Sequence, residues 1–195
     1  MEKGMERGGV CVTGGTGFVA SWLIMRLLQH GYAVNTTVRS HPDQKKDVSY
    51  LTNLPGASER LRIFNADLDK PESFNDSIKG CVGVFHVAHN IDFEEKEDEE
   101  TNTKRSINTI IRILQACLDS NTVRRVVYTS SASAVMFSGK MQGSKLFFYS
   151  FLKLKDTKKI QVLSKKLLDT GFEYKYGLVQ MFDDAIECCK QKGLL

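Results

Sequence analysis

The sequence predicts an α/β fold, a doubly wound parallel sheet, on two observations. Short apolar or β-branched runs alternate with stretches of helical period up to about residue 130. The first of those runs ends in a glycine-rich turn, Thr13-Gly14-Gly15-Thr16-Gly17, that opens directly onto a helical pattern. At 195 residues, 42% hydrophobic and 26% charged, the chain has material for one substantial core but is short for two independent domains.

Val10-Cys11-Val12 reads as a buried parallel strand, since strands covered on both faces are continuously apolar. Phe18 to His30 follows as a helix, with Phe18, Trp22, Leu23, Leu27 and Leu28 as its apolar stripe and Gly31 as its stop. Tyr32–Val38, Leu61–Phe64, Val82–Val87 and Arg125–Tyr128 read as further strands. One helix is expected after Pro71, covering Phe74 and Ile78. A second, Thr101–Ser120, places Ile107, Ile110, Ile111, Leu114 and Leu118 along one stripe. The right-handed crossover rule puts these helices on both faces of the sheet. After Ser133 the alternation stops. Met136–Leu163 has no clear period, and Leu146–Leu152 is an aromatic tract that fits strand or helix. Leu178, Met181, Phe182, Ala185, Ile186 and Cys189 then recur at helical spacing up to Gly193, which predicts a docked amphipathic helix.

The glycine turn has the strand–turn–helix context that binds a dinucleotide. Gly14 supplies a backbone conformation that a side chain would obstruct, and Gly17 lets the backbone approach a pyrophosphate over the helix N-terminus. Ala20 is the small residue where helix and strand pack closely. The end of the second strand selects the cofactor. An acidic residue there would accept from ribose hydroxyls, but the chain has Thr37-Val38-Arg39, then Lys45 and Lys46. Arg39 and a lysine suit the 2′-phosphate of NADPH, with no carboxylate to repel it. Asp67, after the third strand, is placed to accept from adenine. His86 and His89, at the end of the fourth, are read as facing one side, each packed or solvent-facing. No third ligand is spaced to complete a metal site with them.

Other classes fit poorly. The net charge of +4 is small and its basic residues are spread, so no nucleic-acid surface is expected. Glu94–Glu100, a dense acidic run, reads as a solvated loop leading into a helix. No apolar stretch is long enough for a membrane span, and the polar N-terminus lacks a signal-peptide core. Five cysteines, an odd number without Cys-x-x-Cys spacing, read as free thiols in a reducing compartment, the cytoplasm.

Five ordered motifs carry a resemblance. Val12–Val19, Thr37–Arg39, Ala66–Leu68, Gly83–Ala88 and Val127–Ser131 resemble the extended short-chain dehydrogenase/reductases, within the NAD-dependent epimerase/dehydratase family. More closely, the chain is similar to the plant dihydroflavonol reductase, anthocyanidin reductase and vestitone reductase group. Ser131–Val135 looks most like the vestitone reductase branch. The likeness resumes at Lys165–Phe172 and Met181–Ile186.

That resemblance implies a Rossmann-type NAD(P)-binding domain. Gly14, Gly17, Phe18 and Val19 would hold the pyrophosphate, and Arg39 with Lys46 the 2′-phosphate. Asp67 and Leu68 would frame adenine, and Val87, Ala88 and His89 the ribose side. Ser131 would polarise the carbonyl of a flavonoid-like ketone. Where the family has Thr or Ser followed by Pro, this chain has His89-Asn90. The family pattern also jumps from the fifth strand to the C-terminal helices, which leaves the substrate-binding half incomplete. The family's catalytic Tyr-x-x-x-Lys is matched in spacing only by Tyr149 and Lys153, without its usual small-residue flanks.

The expected organisation is an NADP-binding domain over 1–135, an irregular junction over 136–163, and a helical segment over 164–195 packed on the same domain. Three functions stay open. One is an NADPH-dependent ketone reductase with impaired activity. Another is an inactive remnant that binds NADPH or a full-length relative. The third is a fragment too incomplete to fold stably.

Overall fold

The computed structural model describes residues 8–39, 47–89, 99–130, 165–191 and 193–194. The chain divides into two compact units, Met1–Ser131 and Ala132–Leu195. In the first, β1 (Gly9–Val12), β2 (Val34–Val38), β3 (Leu61–Asn65), β4 (Cys81–His86) and β5 (Arg125–Tyr128) form one sheet. Its order is β3-β2-β1-β4-β5, and every neighbouring pair is parallel. The strand order therefore reverses at β1. Cys11 of β1 sits opposite both Asn35 of β2 and Val84 of β4, and the crevice at the ends of these strands is where doubly wound sheets take ligands.

Alternation along β1 sends its side chains into two cores. Val10 and Val12 pack with Ala20, Ile24 and Leu28 of α1 (Phe18–Gln29) and with Leu51 and Ala57, from α2 (Ser49–Thr52) and α3 (Ala57–Arg60). Cys11 packs on the other face with Phe74, Ile78, Ile113 and Cys117. These come from the 3₁₀ turn Pro71–Phe74, α4 (Asn75–Ile78) and α5 (Glu99–Asp119). Helices thus cover both faces, as expected.

The faces of the two long helices differ from the sequence expectation. Leu28 of the predicted α1 stripe is buried and Leu23 and Leu27 are partly buried, but Phe18 and Trp22 are exposed. The buried line is Ala20, Ile24 and Leu28, an i, i+4, i+8 row. On α5 the buried side chains are Thr109, Ile113 and Cys117, while Ile107, Ile111, Leu114 and Leu118 are exposed. Both helices carry apolar residues on more than one side, so periodicity alone could not say which side meets the sheet. Helices α2 and α3 were not anticipated, because four residues carry no readable period.

The second unit contains α6 (Lys165–Leu168) and α7 (Leu178–Gln191) among its described residues. Past α7, Gly193 takes a left-handed φ of 66° and the Leu194 amide bonds the Cys189 carbonyl, the glycine stop that the sequence predicts. None of the α7 residues is buried. The aromatic tract Leu146–Leu152 lies outside the described residues. No helix among the described residues is long and apolar enough to cross a membrane.

Candidate functional site

The glycine turn is fastened to its neighbours by threonines. Thr37, buried at the end of β2, accepts from the Gly14 amide through Oγ1 (3.1 Å) and from the Gly15 amide through its carbonyl (2.8 Å). The Gly17 amide closes the turn on the Gly14 carbonyl at 2.9 Å. Gly14 has a φ of 74°, and a Cβ there would lie 3.1 Å from the Ala88 backbone, so glycine is required for conformation and for space.

Thr13, just before the turn, ties it to the segment after β4. Its Oγ1 accepts from the Val87 and Ala88 amides, both at 3.0 Å, and lies 2.9 Å from His86 Nδ1. His86 is buried; that burial, and then the neighbouring His89, push its pKa down to about 4. His89 is exposed, and its Nε2 lies 2.7 Å from the Thr129 carbonyl oxygen, a group that can only accept. So Nε2 carries a proton and donates, tying the loop after β4 to the end of β5. The two histidines do not share one strand face: β4 ends at His86, and His89 belongs to the loop beyond.

Between these walls lies an open cleft of about 370 Å³, within the size range of small-molecule sites. Gly14, Gly17, Phe18 and Val19 line one side of it, Thr37 and Arg39 the end of β2, and Ala66, Leu68 and Phe74 a further wall. Val87, Ala88 and His89 complete it. No carboxylate lines this cleft among the described residues. Helix α1 starts at the same place, with no side-chain cap at Gly17 and no acidic residue in its first turn. Its first amides therefore keep their donors for an anion. The structure thus brings together most of the sequence-predicted cofactor residues. Asp67 does not line the cleft; its Oδ1 accepts from the Asp69 amide at 3.2 Å, within its own turn. Lys46, Ser131, Tyr149 and Lys153 lie outside the described residues.

Thr13, Gly15 and Thr37 received no separate role from the sequence. The available signal was the pair Thr36-Thr37 in a central strand, where buried hydroxyls need partners. Thr36 donates to the Val12 carbonyl at 2.8 Å. No group of three metal-ligating side chains occurs among the described residues.

A glycine turn, an anion-ready helix start and a basic strand end on a parallel sheet are joined by a direct family match. Residues 10–145 match the NAD dependent epimerase/dehydratase family. The chain belongs to that family. It is similar to vestitone reductase of Medicago sativa, 60% identical over 134 residues, which are 69% of this chain and 41% of that relative. It is 51% identical over 132 residues to a bifunctional dihydroflavonol 4-reductase/flavanone 4-reductase of Malus domestica, covering 68% of this chain and 38% of the relative. The chain thus spans about two fifths of the length of these curated relatives. The crystal structure of alfalfa vestitone reductase superposes with a TM-score of 0.76 over 97% of this chain and 100% of that one, and identity over that longer span is 31%. A yeast methylglyoxal/isovaleraldehyde reductase complexed with NADPH aligns over 65% of this chain and 38% of its own, at a TM-score of 0.54 and 27% identity.

Proposed function

We propose that the cleft binds NADPH and that the protein is an oxidoreductase of the flavonoid and isoflavonoid ketone reductase type, with impaired activity. The observation that carries the cofactor choice is Arg39 at the β2 end of a cleft without a carboxylate among the described residues. Gly14, Gly17 and the first amides of α1 hold the pyrophosphate, and Phe18 and Val19 cover it. Arg39 and Lys46 hold the 2′-phosphate, a guanidinium fork and a point charge on one dianion. Leu68, which lines the cleft where Asp67 does not, frames adenine, and Val87, Ala88 and His89 border the ribose. The close approach of Gly14 to Ala88 and of Gly17 to the Gly14 carbonyl fits a backbone cradle for phosphate oxygens.

When bound, NADPH supplies the hydride; the chain supplies binding, orientation and the proton. Ser131 hydrogen-bonds and polarises the ketone oxygen. Tyr149 is the proton donor, and Lys153 favours its ionised form. The names of the relatives support a ketone on a flavonoid skeleton. Five free thiols support a reducing compartment, the cytoplasm.

NADPH is expected to raise the melting temperature and to bind at least tenfold tighter than NADH. Arg39→Ala should remove most of that difference, about 10- to 100-fold in NADPH affinity, because a charge-assisted contact contributes about 1.5–3 kcal/mol. Equal affinity for the two nucleotides in the wild-type protein would sink the 2′-phosphate assignment.

A second reading, an inactive NADPH-binding remnant that associates with a full-length relative, is favoured by the exposed apolar face of α5 at Ile107, Ile111, Leu114 and Leu118. Turnover of a panel of dihydroflavonol and isoflavanone ketones separates the two. The enzyme reading expects NADPH oxidation that falls at least about 100-fold in Tyr149→Phe. The remnant reading expects none in either protein.

A further inference from the structure

A hydroxyl has one proton and two lone pairs, and the bonds around Thr13 use all three. The Val87 and Ala88 amides donate into Oγ1, which occupies both lone pairs. The Thr13 proton is therefore left for His86 Nδ1, 2.9 Å away, and that nitrogen must be bare. The imidazole is thus neutral and protonated at Nε2. A ring protonated at Nδ1 would point a third donor at a saturated oxygen, and one of the two amide bonds would have to break. Among the described residues, no carboxylate lines the cavity beside the ring to recruit such a proton. His89 and Tyr128 pack against it, with ring centroids at 6.2 and 5.5 Å, and Arg105 of α5 lines the same small cavity. The nearby carboxylate of Asp69 is 3.8 Å from Arg105 Nε.

We infer that Thr13 and His86 form a positioning pair that clasps the Val87–His89 wall of the cleft against the glycine turn. On the reading of the cleft as a nucleotide site, they set its width where the wall meets Gly14. His86 touches no reacting group; it acts through Thr13 by fixing which way the hydroxyl proton points. With that proton committed, both amides keep their acceptor, and Ala88 stays in contact distance of Gly14. Without the His86 acceptor the hydroxyl is free to rotate, and its proton competes with the two amides for space.

The test begins on the ligand-free protein. ¹⁵N NMR of the histidine rings is expected to show His86 as the neutral Nε2–H form, and the Val87 and Ala88 amides are expected to be protected from hydrogen exchange. His86→Phe should speed exchange at those two amides about tenfold or more and weaken NADPH binding about tenfold, the scale of one disrupted buried hydrogen bond. His86→Asn, which can place an acceptor near the Nδ1 position, should restore both. Thr13→Val should mimic His86→Phe, and Thr13→Ser should behave as wild type.

An Nδ1–H ring in the wild-type protein overturns the inference even if every variant fails to fold. So does a folded His86→Phe protein whose amide exchange and NADPH affinity are unchanged. Wild-type protein with the Nε2–H ring and protected amides but no affinity for NADPH overturns the nucleotide reading instead, and leaves the clasp as a lock on the turn alone.

Discussion

Gly15→Ala should destabilise the first unit by about 2–4 kcal/mol and weaken nucleotide binding with it. The reason is space. A Cβ on Gly15 would run into Thr36 Oγ1 and lie 3.2 Å from Thr36 Cγ2 and 3.3 Å from Ile24 Cδ1. Both neighbours are fully buried. Thr36 is β-branched and stiff at χ1, and its hydroxyl is committed to the Val12 carbonyl at 2.8 Å. Making room costs about 1–3 kcal/mol of overpacking and about 1 kcal/mol for the lost hydrogen bond. Gly17→Ala is the milder comparison for stability, since its Cβ would meet only the Gly14 carbonyl, at 3.3 Å. Denaturant unfolding monitored on both proteins tests this, and a Gly15→Ala midpoint equal to wild type would remove the steric claim. Thr36→Ala in the Gly15→Ala background should recover part of the loss, because the two changes meet at one contact.

That collision was not legible in the sequence, whereas the turn itself was. Gly14 and Gly17 stand out because a strand end, a glycine cluster and a helical period coincide there. Arg39 stands out because the residue at the end of β2 is read by position. The strands were readable for a simple reason: buried parallel strands are short runs of apolar or β-branched residues, punctuated at both ends. Helices α1 and α5 were readable as helices but not as faces. Trp22 and Ile111 look as apolar as Ile24 and Ile113, and only the place of the sheet decides between them. Asp67 illustrates the same limit at the site, because its motif gave a position in sequence but not the turn that engages its carboxylate. The Thr13–His86 contact joins positions 73 residues apart, and no local pattern encodes it. A histidine at the end of a buried strand must find a partner or lose its charge, but no local pattern says which partner it finds.

Thiol chemistry should divide the five cysteines into two kinetic classes, with Cys188 and Cys189 modified promptly and Cys11, Cys81 and Cys117 only as the first unit unfolds. Cys188 is exposed and Cys189 partly so, while the other three are buried. The buried set forms part of one core with Phe74, Ile78 and Ile113, and apolar surroundings disfavour a thiolate. Burial pushes the Cys11 thiol up to about 12 and the Cys81 thiol up to about 11, from an ordinary value of 9.0. At Cys11 that lowers the reactive thiolate about 1,000-fold before access is considered, since each pKa unit is a factor of ten. Cys117 is shifted upward by the same cause. A disulfide-exchange reagent at mildly alkaline pH should therefore consume two thiols in a fast phase. The other three should follow at a slow rate that reports opening of the sheet. NADPH, bound only to the folded unit, should slow that second phase and leave the first untouched. Three or more thiols in the fast phase would contradict the packing of β1, β4 and α5. An unaltered slow phase at saturating NADPH would contradict the nucleotide cleft, whose floor rests on that same core.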